Sequence, residues 1–182
     1  MISANYKNLN SKLHQSNESY GTSGMKYAQE IMAICFQNGT QDVLDYGCGK
    51  STLANNLPFT IQQYDPCVDR FSAKPWPADI VVCTDVLEHI EPDCINDVIA
   101  HIGALTKKVA FLSVANGPAL KVLEDGRNAH LIQEKPEWWL EKISANLDVV
   151  SFSRRKSFKR PTGELFQQYV FICNPYDKEC QS

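Results

Sequence analysis

The chain has 182 residues and a formal net charge of −3, which suits one domain spanning 1–182 with a substantial core and excludes a global electrostatic footprint for nucleic acid or an anionic membrane. Seven cysteines, an odd number without a CxxC pair, read as reduced thiols of a cytoplasmic protein. The opening MISANYKNLN has neither an apolar signal core nor an arginine-rich transit pattern, and no run approaches the roughly twenty apolar residues that span a bilayer.

Asn5 to Gly24 is a polar lead with room for a short helix. Met25, Ala28, Ile31, Met32 and Cys35 recur at a helical period before Gly39, a helix terminator, and predict a helix over 25–38. VLDYGCGKSTLA, from Val43 to Ala54, predicts a buried strand that turns into a helix. Gly47 and Gly49 let the backbone bend there, and a ligand can sit against the amides at the helix start. Thr60 to Tyr64 reads as a second strand ending at Asp65 and Pro66. The following PCVDRFSAKPWP has three prolines and little apolar periodicity, which predicts a loop with a single helical turn. Ile80 to Cys83 is a continuous apolar run suited to a central parallel strand, with Thr84 and Asp85 at its carboxyl end.

Ile95, Val98, Ile99, Ile102 and Leu105 share one face of a helix over 92–105. Val109 to Val114 is the next strand, and a helix over 135–147 has Pro136 in its first turn. Val149 to Phe152 and Leu165 to Cys173 close the sheet as an antiparallel pair, with the basic run Arg154 to Arg160 in the turn between them. The chain shows no internal repeat, low-complexity segment or interdomain linker.

The loop after the first strand fits neither common phosphate template. A P-loop would place its first glycine at Leu44, and a dinucleotide fingerprint would place its third at Thr52. What remains, Asp45, Gly47 and Gly49 after a strand, resembles motif I of the class I S-adenosylmethionine-dependent methyltransferases. Asp65 stands where an acid at the end of a second strand accepts hydrogen bonds from ribose hydroxyls. The segment Asp85 to His89 (DVLEH) resembles the strand-four region of the same family.

The resemblance implies an α/β, Rossmann-like methyltransferase sheet with helices on both faces. It also implies S-adenosyl-L-methionine as cofactor, held by Asp45, Gly47, Cys48, Gly49, Asp65, Pro66, Asp85 and Val86. In related enzymes the lead, here 1–24, can fold over the cofactor, and Tyr20 is a candidate for that. The interval from Asp65 to Asp79 is too short for the family's usual helix and strand, so the sheet is expected to lack one strand, with loop contacts replacing the usual adenine-contacting side chain.

Acceptor chemistry falls to the carboxyl edge of the sheet and the loops above it. Methyl transfer from a sulfonium is an in-line displacement, so the protein must align the acceptor and, for a hydroxyl, remove its proton. His130 and His89 are the candidate bases, because an imidazole titrates near neutrality. At least one of Trp138 and Trp139 is expected in the core, and the other has the option of lining the acceptor pocket, where an aromatic wall suits a sulfonium.

Asp85, Glu88, His89 and the distant His130 are also similar to the metal site of the small-RNA 3′-end 2′-O-methyltransferases, and that set would suit a divalent ion. Three functions are therefore open. The first is methylation of an oxygen or nitrogen of a small-molecule or carbohydrate-like acceptor. The second is metal-assisted 2′-O-methylation of RNA or nucleotides, with Arg154 to Arg160 as a nucleic-acid contact. The third is a non-catalytic cofactor-binding subunit.

Overall fold

The apolar run at Ile80 marks a strand that must be buried on both faces. In the computed structural model, which describes residues 2–159, 163 and 165–176, it lies near the centre of a six-stranded sheet. The strands are β1 (Val43–Tyr46), β2 (Gln62–Tyr64), β3 (Ala78–Thr84), β4 (Thr106–Ala115), β5 (Leu147–Lys159) and β6 (Leu165–Pro175), in the order β2-β1-β3-β4-β6-β5. β2, β1, β3 and β4 are parallel, and β6 runs antiparallel to both β4 and β5. Asp45 aligns with Val82 and Val82 with Phe111, so the carboxyl ends of β1, β3 and β4 share one edge.

The helices are α1 (Ala4–Ser16), α2 (Ala28–Asn38), α3 (Ile95–Leu105) and α4 (Pro136–Ser144). Side chains alternate across a strand, and both faces of the sheet are covered. Ile80, Val82 and Phe111 pack with Ile31, Ile34 and Cys35 of α2. Val81, Cys83 and Leu112 pack with Val98, Ile99 and Ile102 of α3 and with Trp139 and Ile143 of α4. Each fully buried side chain of this size contributes about 1.5–3 kcal/mol. The α2 helix ends at Gly39 as its sequence predicts, in the left-handed region at φ 61°, with the Gly39 amide donating to the Cys35 and Phe36 carbonyls.

Several boundaries differ from the sequence expectation. The helix after β1 does not form: turns run from Gly49 to Leu53, followed by one 3-10 turn at Ala54–Asn56. Ser51 sits at φ 63°, outside the helical region, and the Gly49 and Lys50 amides donate to Asp65 and to the Gly21 carbonyl, so no helix starts there. The next interval holds only a 3-10 turn at Asp69–Phe71, so β2 passes to β3 without another strand. The helices expected over 25–38 and 92–105 open as 3-10 turns, Ser23–Tyr27 and Pro92–Cys94, before α2 and α3 begin. The lead holds a full α-helix, α1, N-capped by the Ser3 side chain accepting from the Tyr6 amide.

The basic run was expected in a turn, but Arg154 to Lys159 belong to β5 and pair with β6, while Arg160 lies outside the described residues. β5 ends the sheet, and an edge strand carries charge readily because one side meets water. Arg155 donates to Glu30 at 2.5 Å, and the Arg154 guanidinium lies over the Tyr169 ring at 6.0 Å. No described helix is long and apolar enough to cross a membrane. Cys48, Cys83 and Cys173 are buried free thiols.

Candidate active site

β1 pairs with β2 on one side and β3 on the other, so the strand order reverses there and the sheet opens a crevice at its carboxyl edge. A cavity of about 620 Å³ fills that crevice, within the range of about 300–1,000 Å³ usual for small-molecule sites. Every cofactor residue expected from the sequence borders it, as do Glu88, His89 and His130. Trp138 and Trp139 do not. Trp139 is fully buried in the core and Trp138 packs edge-on against it at 4.9 Å, so neither walls an acceptor pocket.

The loop after β1 is closed on itself. Gly47 and Cys48 donate to the Tyr64 carbonyl at 2.7 and 3.1 Å, Gly49 to Asp65 Oδ2 at 3.0 Å, Lys50 to the Gly21 carbonyl at 2.9 Å and Ser51 to the Cys48 carbonyl at 2.9 Å. The amides expected to face a ligand therefore serve the fold. What the loop presents is a glycine surface and two carboxylates. Gly47 has φ 81°, and a Cβ there would lie 2.4 Å from Val86 Cγ2; at Gly49 it would lie 2.7 Å from the Gly21 carbonyl oxygen. Asp65 is 6 % exposed and accepts from Cys67 N at 2.9 Å through Oδ1 and from Gly49 N through Oδ2, leaving each oxygen a lone pair for a further donor. Burial, and then the charge of Asp65, pushes the Asp45 carboxyl up to about 7.

The end of β3 is built differently. Asp85 adopts φ 55°, a left-handed conformation that Asp tolerates better than most residues. Its Oδ1 accepts from Ser113 Oγ and Gln168 Nε2, both at 2.7 Å, and Tyr27 OH donates to Ser113 Oγ at 2.9 Å. This turn aims Asp85 toward β4 and β6. Leu87–His89 is one 3-10 turn, not a continuing α-helix, and it sends Glu88 inward. Glu88 is fully buried: Oε1 accepts from Ala115 N at 3.0 Å, while Oε2 has no partner. Burial, and then Asp85, holds its carboxyl well above the usual range.

His89 Nδ1 donates to the Ala129 carbonyl at 2.7 Å and His130 Nδ1 to the Gly117 carbonyl at 2.6 Å, which leaves the lone pair of each ring on Nε2. Burial and the neighbouring His130 press the His89 imidazolium down to about 3. The loop carrying His130 is locked by Asn128, whose Oδ1 accepts from Ala119 N and His130 N, and by Ile132 N donating to the Glu88 carbonyl. The ligand-type atoms of Glu88, His89 and His130 consequently lie within 4.8 Å of one another. Asp85, expected as a fourth member, is not in this group: its carboxylate is turned to Ser113 and Gln168.

The lead forms one wall. Tyr6, Asn10, His14 and Tyr20 border the cavity, and the segment is tied down by Ser3 donating to Glu91, Ser11 to the Cys67 carbonyl, and Lys50 Nζ to the Asn17 carbonyl. Tyr20 OH sits 3.3 Å from His89 Nδ1 and accepts from Asn10 Nδ2 at 3.2 Å. Sequence reasoning missed Asn10, His14, Ser113 and Gln168. Only the Asn10 to Tyr20 contact is local enough to leave a trace in the chain order.

A sequence profile described as "methyltransferase domain" matches residues 20–162. Among solved structures, the chain is similar to 1,6-didemethyltoxoflavin-N1-methyltransferase of Burkholderia thailandensis, with TM-score 0.60, 17 % identity, and 94 % of this chain and 87 % of that one covered. It is also similar to magnesium protoporphyrin IX methyltransferase of Synechocystis (TM-score 0.55, 14 % identity, 97 % and 89 % covered). A third is the N-methyltransferase NodS of Bradyrhizobium japonicum (TM-score 0.55, 11 % identity, 94 % and 100 % covered). No curated protein matches the sequence. Profile, sheet and site together place the chain in the class I S-adenosylmethionine-dependent methyltransferase family.

Proposed function

We propose that the chain is a cytoplasmic, single-domain enzyme that transfers a methyl group from S-adenosyl-L-methionine to an oxygen or nitrogen of a small-molecule or carbohydrate-like acceptor. The observation that carries this reading is one continuous cavity running from the glycine loop and Asp65 to Glu88, His89 and His130. The residues suit the cofactor. Gly47 and Gly49 let Val86 and Gly21 close against the loop where a Cβ would collide, which shapes this end of the cavity, and Asp65 retains an acceptor site on each oxygen for a diol. The solved neighbours fit the acceptor class, since two are named for small molecules, 1,6-didemethyltoxoflavin and magnesium protoporphyrin IX.

When bound, S-adenosylmethionine supplies an electrophilic methyl on a sulfonium. Asp45, Gly47, Cys48, Gly49, Asp65 and Pro66 would hold it on the β1 and β2 side, and Asp85 and Val86 would border it from the end of β3. Across the cavity, His130 Nε2 accepts the acceptor's proton, its ring fixed by the Gly117 carbonyl on Nδ1; His89, the other candidate, is fixed in the same way by Ala129 but is the weaker base, because burial and His130 hold its imidazolium down to about 3. Burial away from water strengthens these polar contacts. The test is incubation with tritiated cofactor against pooled metabolites and pooled RNA. Label in the metabolite fraction supports the reading, and no turnover with either pool leaves a non-catalytic subunit.

A second reading, metal-assisted methylation of a nucleotide or RNA hydroxyl, is favoured by one specific observation. Glu88 Oε2 is buried without a partner beside His89 and His130, and each imidazole has the carbonyl-bound Nδ1–H that metal-ligating histidines commonly show. A chelator that abolishes turnover would favour it, and full activity in chelator would exclude it.

A further inference from the structure

The family match begins at residue 20, so α1 lies outside it, yet α1 delivers His14 to the cavity opposite Asp65. The His14 side chain is 11 % exposed, and its Nε2 stands 4.0 Å from Asp65 Oδ2. That separation is too long for a direct hydrogen bond. One hydroxyl oxygen about 2.8 Å from each atom spans it, accepting from Nε2–H and donating to the carboxylate.

The surroundings hold the ring in this pose. Tyr20 packs edge-on at 4.7 Å, and Gly21, at φ 74°, leaves no Cβ where one would lie 2.7 Å from His14 Cε1. Nδ1 is buried against that turn without a partner, so no acceptor draws the proton to Nδ1 and the neutral ring carries it on Nε2. Burial and the Lys50 charge favour the neutral ring, while Asp65 opposes them.

We propose that His14 is a second ribose-binding residue, and that Nε2 of His14 and Oδ2 of Asp65 grip one ribose hydroxyl of the cofactor between them. This rests on the S-adenosylmethionine reading above. It makes α1 part of the cofactor site and assigns the lead a specific contact beyond covering.

The test is calorimetric binding of S-adenosylhomocysteine and of its 2′-deoxy and 3′-deoxy analogues to wild type, His14→Ala, His14→Gln and His14→Asn. His14→Ala is expected to weaken S-adenosylhomocysteine about tenfold. His14→Gln, whose amide nitrogen reaches the position of Nε2, is expected to recover most of that loss, and His14→Asn is not. One deoxy analogue, lacking the gripped hydroxyl, should bind wild type and His14→Ala alike. Equal affinity of wild type and His14→Ala for S-adenosylhomocysteine overturns the proposal, as does an equal loss for all three ligands, which would mark a merely structural role. Wild type failing to bind S-adenosylhomocysteine would overturn the underlying cofactor reading instead.

Discussion

The two ends of the cavity obey different rules. At the β1 and β2 edge, every amide from Gly47 to Ser51 has an acceptor within the chain, and the shape depends on glycines that Val86 and Gly21 press against. At the β3 edge, Glu88 keeps an unpartnered oxygen in a fully buried side chain, and two imidazoles meet at 4.7 Å between ring centroids. The first end is built by backbone geometry and tolerates little change of shape. The second is built by side chains whose burial is costly unless something binds or reacts there. On the proposed reading, holding a donor and handling an acceptor fall to physically distinct constructions within one cavity.

The largest effect is expected at the backbone-built end. Gly47→Ala forces an alanine to φ 81° and a Cβ to 2.4 Å from Val86 Cγ2. Strain and overpacking together cost about 4 kcal/mol. Calorimetry should show S-adenosylhomocysteine binding lost, and thermal melts should show a lower midpoint. Unchanged binding would mean that the loop is not the cofactor's floor.

Asp45 tests the same end in the opposite direction. Its folded carboxyl titrates near 7, above the unfolded value near 3.9, so the native state keeps a proton that the unfolded chain releases. Stability of the ligand-free protein from this group is therefore highest at low pH, falls as pH rises through the window from about 4 to 7, and is flat above it. Asp45→Asn should remove that dependence and stabilise the free protein by about 1–2 kcal/mol at pH 8, while weakening cofactor binding. Melts across the pH range check this, and an unchanged pH profile would contradict it.

Glu88→Gln probes the side-chain-built end. The amide oxygen can still accept from Ala115 N, so stability should shift by less than about 1 kcal/mol. If the metal reading holds, Mn²⁺ binding seen by titration with wild type should vanish in the variant. Smallest of all, Arg155→Ala breaks an exposed contact to Glu30 and should change stability by less than about 0.5 kcal/mol, with S-adenosylhomocysteine affinity unchanged.

The same contrast explains what the chain order revealed. Asp45, Gly47, Gly49 and Asp65 were legible because a strand, a turn and a second strand place them within one local unit. The continuous apolar run of Ile80 to Cys83 and the single face of Ile95 to Leu105 were legible for a similar reason, namely that both patterns are local. The meeting of Glu88 and His89 with His130 was expected only through the family resemblance, because it depends on Ala129, Gly117 and Asn128 folding the long loop back and the spacing alone does not encode that. His14 reaches Asp65 only because α1 is tied to Glu91 and Cys67. The missing helix after β1 misled because its amides found partners in Gly21, a residue from the lead, and in Asp65. Likewise Asp85 left the expected cluster because its left-handed backbone delivers it to Ser113 and Gln168.

The most direct measurement is calorimetric titration of S-adenosylhomocysteine into wild type, Asp65→Ala and Glu88→Gln. Division of the cavity into a donor-holding and an acceptor-handling end predicts one ligand per chain in wild type, loss of binding in Asp65→Ala and near-wild-type affinity in Glu88→Gln. No binding by wild type, or equal losses in the two variants, would contradict it.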